Sequence, residues 1–297
     1  MTEVELVIDA KARLAEGPSW DAEEKRLYWV DIEGFKLHIY EPDSGRDTVH
    51  EMGQHIGAVV PYDRHHVMVA LKNGFHLYDL ASGKLTLLHN PESHRDDNRF
   101  NDGKCDAKGR FWAGTMSLID KKNQGALYCL LNDGHVRTVL TEVSLSNGIG
   151  FSPDHKKMYY IDTPTGRIDQ FDFDLDSGEI YNRKSLFSLP EGTGFPDGMT
   201  VDAEGMIWVA HYGGSQVSRW NPDTGSLIQH IEVPASQVTS CCFGGEDLDE
   251  LYITTARNGL SEDKLVETPH AGGVFRVRPG VKGQPTYRYK DIKSSGI

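Results

Sequence analysis

The chain lacks the features of membrane-spanning and secreted proteins. No apolar run among its 297 residues approaches the roughly 18 residues that a membrane-spanning helix needs. The first residues, MTEVELVIDAKARL, contain no basic segment followed by an apolar core, which is the pattern of a signal peptide. We therefore expect a cytoplasmic protein that has no membrane partner.

The sequence also lacks a basic cluster and a disulfide framework. Its net charge is −13 and its Lys and Arg are scattered, so nothing could neutralise the phosphates of a nucleic acid. No G-x-S-x-G, Walker or dinucleotide-binding motif is present, so a serine nucleophile and nucleotide chemistry have no support. The cysteines show no framework spacing and are expected to be reduced, structural thiols: Cys105, Cys129, Cys241 and Cys242.

No segment has an apolar repeat of helical period over a dozen residues, but the chain does contain an internal repeat. A turn, an acidic or small residue and a short run of bulky apolar residues recur six times, with centres 40 to 48 residues apart. The tryptophans among these centres are expected to be equivalent core residues and not a ligand cage. The centres are Trp29, Val69, Trp112, Tyr160, Trp208 and Ile253.

Each of these segments is followed by a predicted hairpin, in which apolar and polar residues alternate around a turn. The last of them is GGVFRVRPGVKGQPTYRY. Four strands in each repeat predict an all-β fold, a six-bladed β-propeller with four antiparallel strands per blade. We expect residues 1–297 to form a single domain, with the N-terminal strand of residues 4–8 joining the last blade to close the ring. A β-sandwich or a parallel β-helix fits the regular spacing less well.

In a propeller the first strand of each blade lines the central channel, so the entrances to these strands form a ring. At this position the repeats carry Glu16, Ala58, Asn101, Asn147, Asp197 and Thr239. Carboxylates and carboxamide oxygens are hard donors suited to a divalent cation, and facing carboxylates would repel each other without one. Three or four protein ligands leave positions open for water and substrate, as in a catalytic site. The alternative is that Asp and Asn before Gly are ordinary turn residues.

Two segments resemble metal-binding motifs but are predicted to be ordinary turns and loops. The alternating aspartates of residues 172–176 are spaced as in an EF-hand loop, yet Arg183 stands where that loop needs a glutamate. His50 and His55 are five residues apart instead of four, which excludes a zinc-protease motif. His55 lies near the second ring entrance and is kept as a minor candidate for the site.

The chain is similar to the family of regucalcin (senescence marker protein), gluconolactonase and xylonolactonase. The motifs that carry the resemblance run through almost the whole chain and include AEGPSWD (15–21), NRFNDGKCDAKGRFWAGTM (98–116), PDGMTVDAEG (196–205) and TSCCFGG (239–245). The resemblance implies a six-bladed propeller that hydrolyses sugar lactones with one divalent cation. It also implies that Glu16, Asn147 and Asp197 are metal ligands, and that Arg99 and Asn101 contact the substrate.

At one place the chain departs from the family. Animal members use a glutamate after the GTM motif to bind substrate, whereas Ile119 stands at the matching place here. Asp120 follows it, and both the replacement of the glutamate by Asp120 and the sugar preference are left open.

The expected activity is that of a carboxylic ester hydrolase (EC 3.1.1) that opens a small-molecule sugar lactone such as glucono-, xylono- or arabinono-lactone. The cation, which is Ca²⁺, Zn²⁺, Mn²⁺, Mg²⁺ or Fe²⁺, would polarise the carbonyl group. Asp197 is the candidate for both metal ligand and general base. Two other functions are kept: a phosphotriesterase-like hydrolase on the same scaffold, and a non-enzymatic calcium-binding regulator. The chain is expected to be a monomer or a weak dimer.

Overall fold

The structure, a computed structural model, describes residues 3–291 of the chain. Within these residues 24 strands form six antiparallel sheets of four strands each. The first strand, β1 (Glu5–Ile8), belongs to the last blade. The predicted six-bladed β-propeller is confirmed.

The other strands follow blade by blade. Blades 1 to 3 contain β2 (Ala15–Asp21), β3 (Arg26–Asp31), β4 (Lys36–Glu41) and β5 (Arg46–Glu51); β6 (Ile56–Pro61), β7 (His66–Leu71), β8 (Gly74–Asp79) and β9 (Leu85–His89); and β10 (Asn98–Cys105), β11 (Phe111–Ser117), β12 (Gly125–Leu130) and β13 (Val136–Val143). Blades 4 to 6 contain β14 (Ser146–Phe151), β15 (Lys157–Asp162), β16 (Arg167–Asp174) and β17 (Glu179–Ser188); β18 (Phe195–Val201), β19 (Ile207–Tyr212), β20 (Gln216–Trp220) and β21 (Leu227–Glu232); and β22 (Val238–Gly244), β23 (Glu250–Thr255) and β24 (Val274–Val277).

The first strand of every blade lies at the channel and contacts the first strands of both neighbouring blades. This contact runs through β2, β6, β10, β14, β18 and β22 and returns from β22 to β2. The ring is closed inside blade 6, where β1 pairs with β24 and Leu6 stands opposite Phe275. The prediction that the N-terminal strand joins the last blade is therefore confirmed.

The repeated tryptophans form part of the core, as the repeat predicts. Trp29, Trp112 and Trp208 are fully buried on the second strands of blades 1, 3 and 5. The acidic residue at the end of the inner strand explains part of the repeat, because it accepts a hydrogen bond from the indole. Asp106 accepts from Trp112 Nε1 at 2.8 Å and Asp202 from Trp208 Nε1 at 2.9 Å.

The segment after β24 does not form the second half of the predicted hairpin, because β1 already occupies that position in blade 6. Residues 281–290 instead cross the channel end that lies opposite the ring entrances. They hydrogen-bond to backbone or side-chain atoms of all six blades, at Asp21, Pro61, Gly109, Phe151, Val201 and Leu248. Together with the inner strands they enclose a cavity of about 60 Å³.

Helix is scarce in the described part of the chain. A single 3₁₀ turn covers Thr163–Thr165, and one short α-helix, α1 (Glu262–Glu267), begins at a Ser261 cap. Within residues 3–291 no helix combines the length and the apolar character needed to cross a membrane. The four cysteines are buried free thiols, as expected from their spacing.

Candidate functional site

The pairing of each inner strand is irregular at the ring entrance. In four blades two residues of the inner strand stand opposite a single residue of the second strand: residues 17–18, 101–102, 147–148 and 197–198. In blades 2 and 6 one extra residue is inserted, Gly57 and Thr239 respectively. A β-bulge takes side chains out of the alternation of a strand and can direct them to one point. The ring predicted from the repeat thus lies at these bulges, with Asn101, Asn147, Asp197 and Thr239 inside them and Glu16 and Ala58 directly beside them.

The carboxyl groups of Glu16 and Asp197 lie together in this ring. Their exposed fractions are 2% and 6%, and the two groups are within hydrogen-bonding range of each other. Burial, and then the charges of Asp197 and Asp102, raise the pKa of Glu16 well above its usual value. Burial and the charge of Asp102 do the same to the pKa of Asp197. Without a cation between them, this pair of carboxyl groups therefore favours holding a proton.

The amide of Asn147 is oriented by Thr163 of its own blade, which is bonded in turn to blade 5. Its Nδ2 donates to Thr163 Oγ1 at 3.0 Å, and that hydroxyl donates in turn to Pro196 O at 2.9 Å. The hydroxyl proton is thereby used, so Thr163 can only accept from the amide. Asn147 Oδ1 is left buried without a hydrogen-bond partner, and Asp197 Oδ1 is in the same state.

Arg99 and Asn101 lie beside the carboxyl groups on β10. Arg99 is 5% exposed, and its Nη1 donates to Asn101 Oδ1 at 2.8 Å. Asn101 Nδ2 donates to Ser146 O of blade 4 at 2.8 Å. Burial lowers the pKa of Arg99, while the charges of nearby carboxylates, among them Glu16 and Asp197, oppose that shift. The predicted pair is thus adjacent to the predicted ligands, and Asn101 also orients the guanidinium.

The remaining ring positions offer no free polar atom toward a ligand. Ala58 is fully buried, and Thr239 Oγ1 donates to Ala15 O at 2.6 Å across the junction of blades 6 and 1. Among the described residues no three His, Cys, Asp or Glu side chains gather at one point. A cation held in this ring would therefore need the amide oxygen of Asn147 as well as the two carboxylates.

Two acidic residues at the site were not predicted from the sequence. Asp102 is buried next to Asn101 in the same bulge, and burial raises its pKa while the charge of Lys104 opposes the shift. In a regular strand the side chains of Asn101 and Asp102 would point to opposite faces. Asp102 could therefore be predicted as a site residue only if the bulge was recognised. Glu33 lies in the loop between β3 and β4, where its carboxylate pairs with Arg99 at 3.7 Å. The other repeats have no glutamate at the corresponding loop position, so comparison of the repeats could not identify Glu33.

The segment that resembled an EF-hand loop is a hairpin turn. Asp174 Oδ1 accepts from the backbone N–H groups of Asp176 and Ser177 at 2.8 and 3.2 Å, which confirms the predicted turn.

Ile119 and Asp120, where the chain departs from the family, lie in the loop between β11 and β12. Ile119 is 57% exposed and Asp120 has a positive φ of 54°. Both residues are exposed in a loop that follows the end of β11 paired with Arg99.

The sequence and the fold place the chain among known proteins. Residues 14–257 match the family model described as the SMP-30/Gluconolactonase/LRE-like region. The chain is 42% identical to the "Putative sugar lactone lactonase YvrE" of Bacillus subtilis (strain 168), over 92% of this chain and 94% of that protein. It is 38% identical to the regucalcin of Xenopus laevis, over 94% and 96% of the two chains.

A solved structure extends the similarity to three dimensions. The calcium-binding protein regucalcin from Agrobacterium tumefaciens str. C58 superposes with a TM-score of 0.92 at 31% identity, over 97% of this chain and 98% of that one. Matches of this extent in sequence and in structure show common descent. The chain belongs to the SMP-30/gluconolactonase/LRE-like family.

Proposed function

We propose that the protein hydrolyses sugar lactones with one divalent cation held by Glu16, Asn147 and Asp197. One observation carries the proposal: Asn147 Oδ1 and Asp197 Oδ1 are buried oxygen acceptors without a hydrogen-bond partner, and they lie in the ring that also holds Glu16. Leaving a buried acceptor unpaired costs about 1–3 kcal/mol, and one cation bound between these residues would satisfy both atoms.

The chemistry of this donor set fits a hard or borderline divalent cation. All three ligands are oxygen donors, and the two carboxylates supply the negative charge that such a cation needs. The raised pKa values of Glu16 and Asp197 show the cost of holding both carboxylates without a positive charge between them. A divalent cation bound here would supply Lewis acidity, which polarises a carbonyl group and lowers the pKa of a water molecule.

The protein's own groups account for the remaining steps of the hydrolysis. Asp197 accepts the proton of the attacking water as the water oxygen bonds to the lactone carbonyl carbon. The same carboxyl group then returns the proton to the ring oxygen as the bond between that oxygen and the carbonyl carbon breaks. Arg99 lies beside this centre and donates to the substrate hydroxyls or to the carboxylate that forms, and Asn101 holds the guanidinium in place.

The names of the relatives support the substrate class and the cation. The Bacillus subtilis protein is named a putative sugar lactone lactonase, and the Agrobacterium structure is described as a calcium-binding protein. For this chain we propose a glucono-, xylono- or arabinono-lactone as substrate, and Ca²⁺, Zn²⁺, Mn²⁺, Mg²⁺ or Fe²⁺ as the cation.

The test is a matrix of lactones and cations assayed on protein that has been stripped with a chelator. We expect ring opening to require an added cation, and Asp197→Asn and Asp197→Ala to lose at least about a hundredfold in kcat. Asp223→Asn changes an exposed aspartate in a hairpin turn of the same blade and is the matched control. Circular dichroism checks that each variant is folded. Activity close to wild type in both Asp197 variants would contradict the proposal.

The same assay separates the two other functions. Organophosphates that turn over faster than every lactone would indicate a phosphotriesterase-like hydrolase. Tight Ca²⁺ binding without turnover of any lactone under any cation would indicate a regulatory protein.

A further inference from the structure

A polar cluster from three blades lies next to the proposed reaction centre. It consists of Glu33 in the loop between β3 and β4, His55 just before β6, and Arg99 on β10. Glu33 is the central member, because its Oε1 lies 3.7 Å from Arg99 Nη2 and its Oε2 lies 3.5 Å from His55 Nε2. The β3–β4 loop follows the strand that pairs with Glu16 at the ring entrance, so it lies on the same end of the propeller.

The backbone around Glu33 is held in a fixed conformation. The Asp31 carboxylate accepts from three backbone N–H groups, those of Arg13, Leu14 and Gly34, at 2.9 to 3.0 Å. A Cβ on Gly34 would lie 2.2 Å from Asp31 Oδ2, so any side chain there would push the carboxylate away from these hydrogen bonds. A loop that is built this rigidly can hold a recognition group in place at little entropic cost when a ligand binds.

The neighbours of Glu33 are supported as well. Phe35 has a φ of +60°, which is uncommon for an aromatic residue, and its ring packs edge-on against His55 at 4.7 Å. Its carbonyl oxygen accepts from Met52 N at 2.8 Å. Unusual backbone conformations of this kind persist where surrounding structure enforces them, often at ligand-binding sites. These contacts fix the backbone on both sides of the cluster.

The distances inside the cluster are longer than those of direct hydrogen bonds. The Glu33 carboxylate lies 3.5 Å from His55 and 3.7 Å from Arg99, and its side chain retains 21% exposure. The carboxylate therefore has accepting capacity left for a hydroxyl group, and the N–H groups of Arg99 and His55 can donate to the same ligand. Below the cluster the ring position of blade 2 is Ala58, which offers no polar atom of its own.

We infer that Glu33 and His55 form a specificity subsite that reads the hydroxyl groups of the substrate away from its reacting carbonyl. Glu33 accepts from a sugar hydroxyl and His55 donates to the same or the adjacent hydroxyl, while Glu33 also positions Arg99. The inference rests on the proposed lactonase function for the nature of the ligand. In this arrangement residues of blades 1 and 2 bind the hydroxyl groups of the substrate. The reacting carbonyl group lies at the carboxylates of Glu16 and Asp197.

The first test compares lactones that carry hydroxyl groups with one that has none. In Glu33→Gln we expect KM for gluconolactone and xylonolactone to rise about tenfold with kcat nearly unchanged, because a charge-assisted hydrogen bond to the substrate is weakened. With δ-valerolactone, which has no hydroxyl to read, kcat/KM should stay at the wild-type value. An equal loss on all three lactones would mean that Glu33 does not read a hydroxyl group, and would overturn the subsite.

His55→Gln and Glu191→Gln complete the set of variants. His55→Gln should reproduce the selective rise in KM at a smaller scale. Glu191 is an exposed glutamate in the loop between β17 and β18 at the same end of the propeller, so Glu191→Gln is the matched control and should change nothing.

A binding measurement keeps the subsite testable if the wild-type protein opens no lactone. Isothermal titration of 1,5-anhydroglucitol, a ring polyol without a carbonyl group, measures recognition independently of turnover. We expect the Kd to rise about tenfold in Glu33→Gln and to stay unchanged in Glu191→Gln. Equal affinity in wild type and Glu33→Gln, or no binding to either, would overturn the subsite. Loss of turnover with this binding difference intact would contradict only the proposed function.

Discussion

The orientation of one amide decides whether Asn147 can be a ligand. Its Nδ2 donates to Thr163 Oγ1. The Thr163 hydroxyl uses its own proton to bind Pro196 O, so it can only accept from the amide. The oxygen end of the amide is thereby left free. Loss of a group that orients a metal ligand typically lowers metal affinity by about 10–100-fold.

Thr163→Val should therefore weaken cation binding without unfolding the protein. We expect about a tenfold rise in the Kd of the activating cation, measured by isothermal titration, because the amide loses the partner that orients it. Thr163→Ser keeps the hydroxyl and is the control. An unchanged Kd in the valine variant would show that Thr163 does not orient the ligand.

The pair formed by Glu16 and Asp197 makes a prediction about stability and pH. A buried carboxyl group with a raised pKa holds its proton in the folded protein more tightly than in the unfolded chain. The metal-free protein should therefore lose stability as pH rises from the usual glutamate pKa of 4.5 toward the raised value. Glu16→Gln removes one of the two charges, so its melting temperature should fall less over this range than that of the wild type.

The same variant should lose its response to cations. An added divalent cation should raise the melting temperature of the wild type, since it binds only the folded protein. Glu16→Gln should show little or no rise in differential scanning calorimetry. A variant that keeps the full rise would exclude Glu16 as a ligand.

The sequence was informative about individual residues only where the repeat made them comparable. Glu16, Asn147 and Asp197 could be selected because equivalent positions of six blades meet at one channel. Glu33 could not be found in this way, since it stands in a loop that the other blades do not share. Asp102 was missed for a different reason: the bulge, which is invisible in the alternation of residues, brings two consecutive side chains to the site.

At the scale of strands, the bulges depend on close contact between neighbouring inner strands. Gly57 is the extra residue of blade 2, and a Cβ there would lie 2.4 to 2.7 Å from the backbone of Phe100 and Asn101. Backbone atoms cannot move aside as a side chain can, so the two blades would have to separate. The strand that would shift is β10, which carries Arg99 and Asn101.

Gly57→Ala should consequently harm both stability and the site. Overpacking of this kind costs about 1–3 kcal/mol, which lowers the melting temperature by about 2–4 °C for each kcal/mol in a protein near this size. Lactone turnover should fall as well, because Arg99 moves. Ala58→Gly, at the next residue, removes a methyl group without a clash and is the comparison. A melting temperature equal to that of the wild type would show that β10 adapts.

The strands themselves were predictable because four of them recur in each repeat. The exception is the last repeat, where the hairpin pattern of residues 272–289 predicted two strands and only β24 forms. Both β1 and the chain after β24 had the composition of an outer strand. In the structure β1 pairs with β24 and forms the outer strand of blade 6. This long-range pairing could not be predicted from any local sequence pattern.

At the scale of the whole molecule, the C-terminal segment connects all six blades, in addition to the ring closure by β1. Residues 281–290 hydrogen-bond to every blade at the end of the channel opposite the site. Tyr289 Oη also reaches Leu131 O at 2.8 Å, and Asp21 accepts from Arg288. The segment thus restrains the ring in addition to the closure by β1.

Removal of this segment should lower stability sharply. A chain that ends after Gly280 loses these contacts and opens the cavity beneath the inner strands, so we expect a decrease in melting temperature of at least about 5 °C. Lys104, which lines that cavity, should become reactive toward amine reagents. A chain that ends after Asp291 is the control. Unchanged melting in the shorter chain would show that β1 alone secures the ring.

The pairing of β1 with β24 has a consequence for how the protein is made. A ribosome adds about 5–20 residues per second, so β1 waits on the order of 15–50 s before its partner strand exists. During that time five blades can form, and Glu16 and Asp197 belong to blades 1 and 5, the two blades that flank the last one. We therefore expect the carboxylate pair, and with it the proposed activity, to be assembled only after the sixth blade has closed the ring.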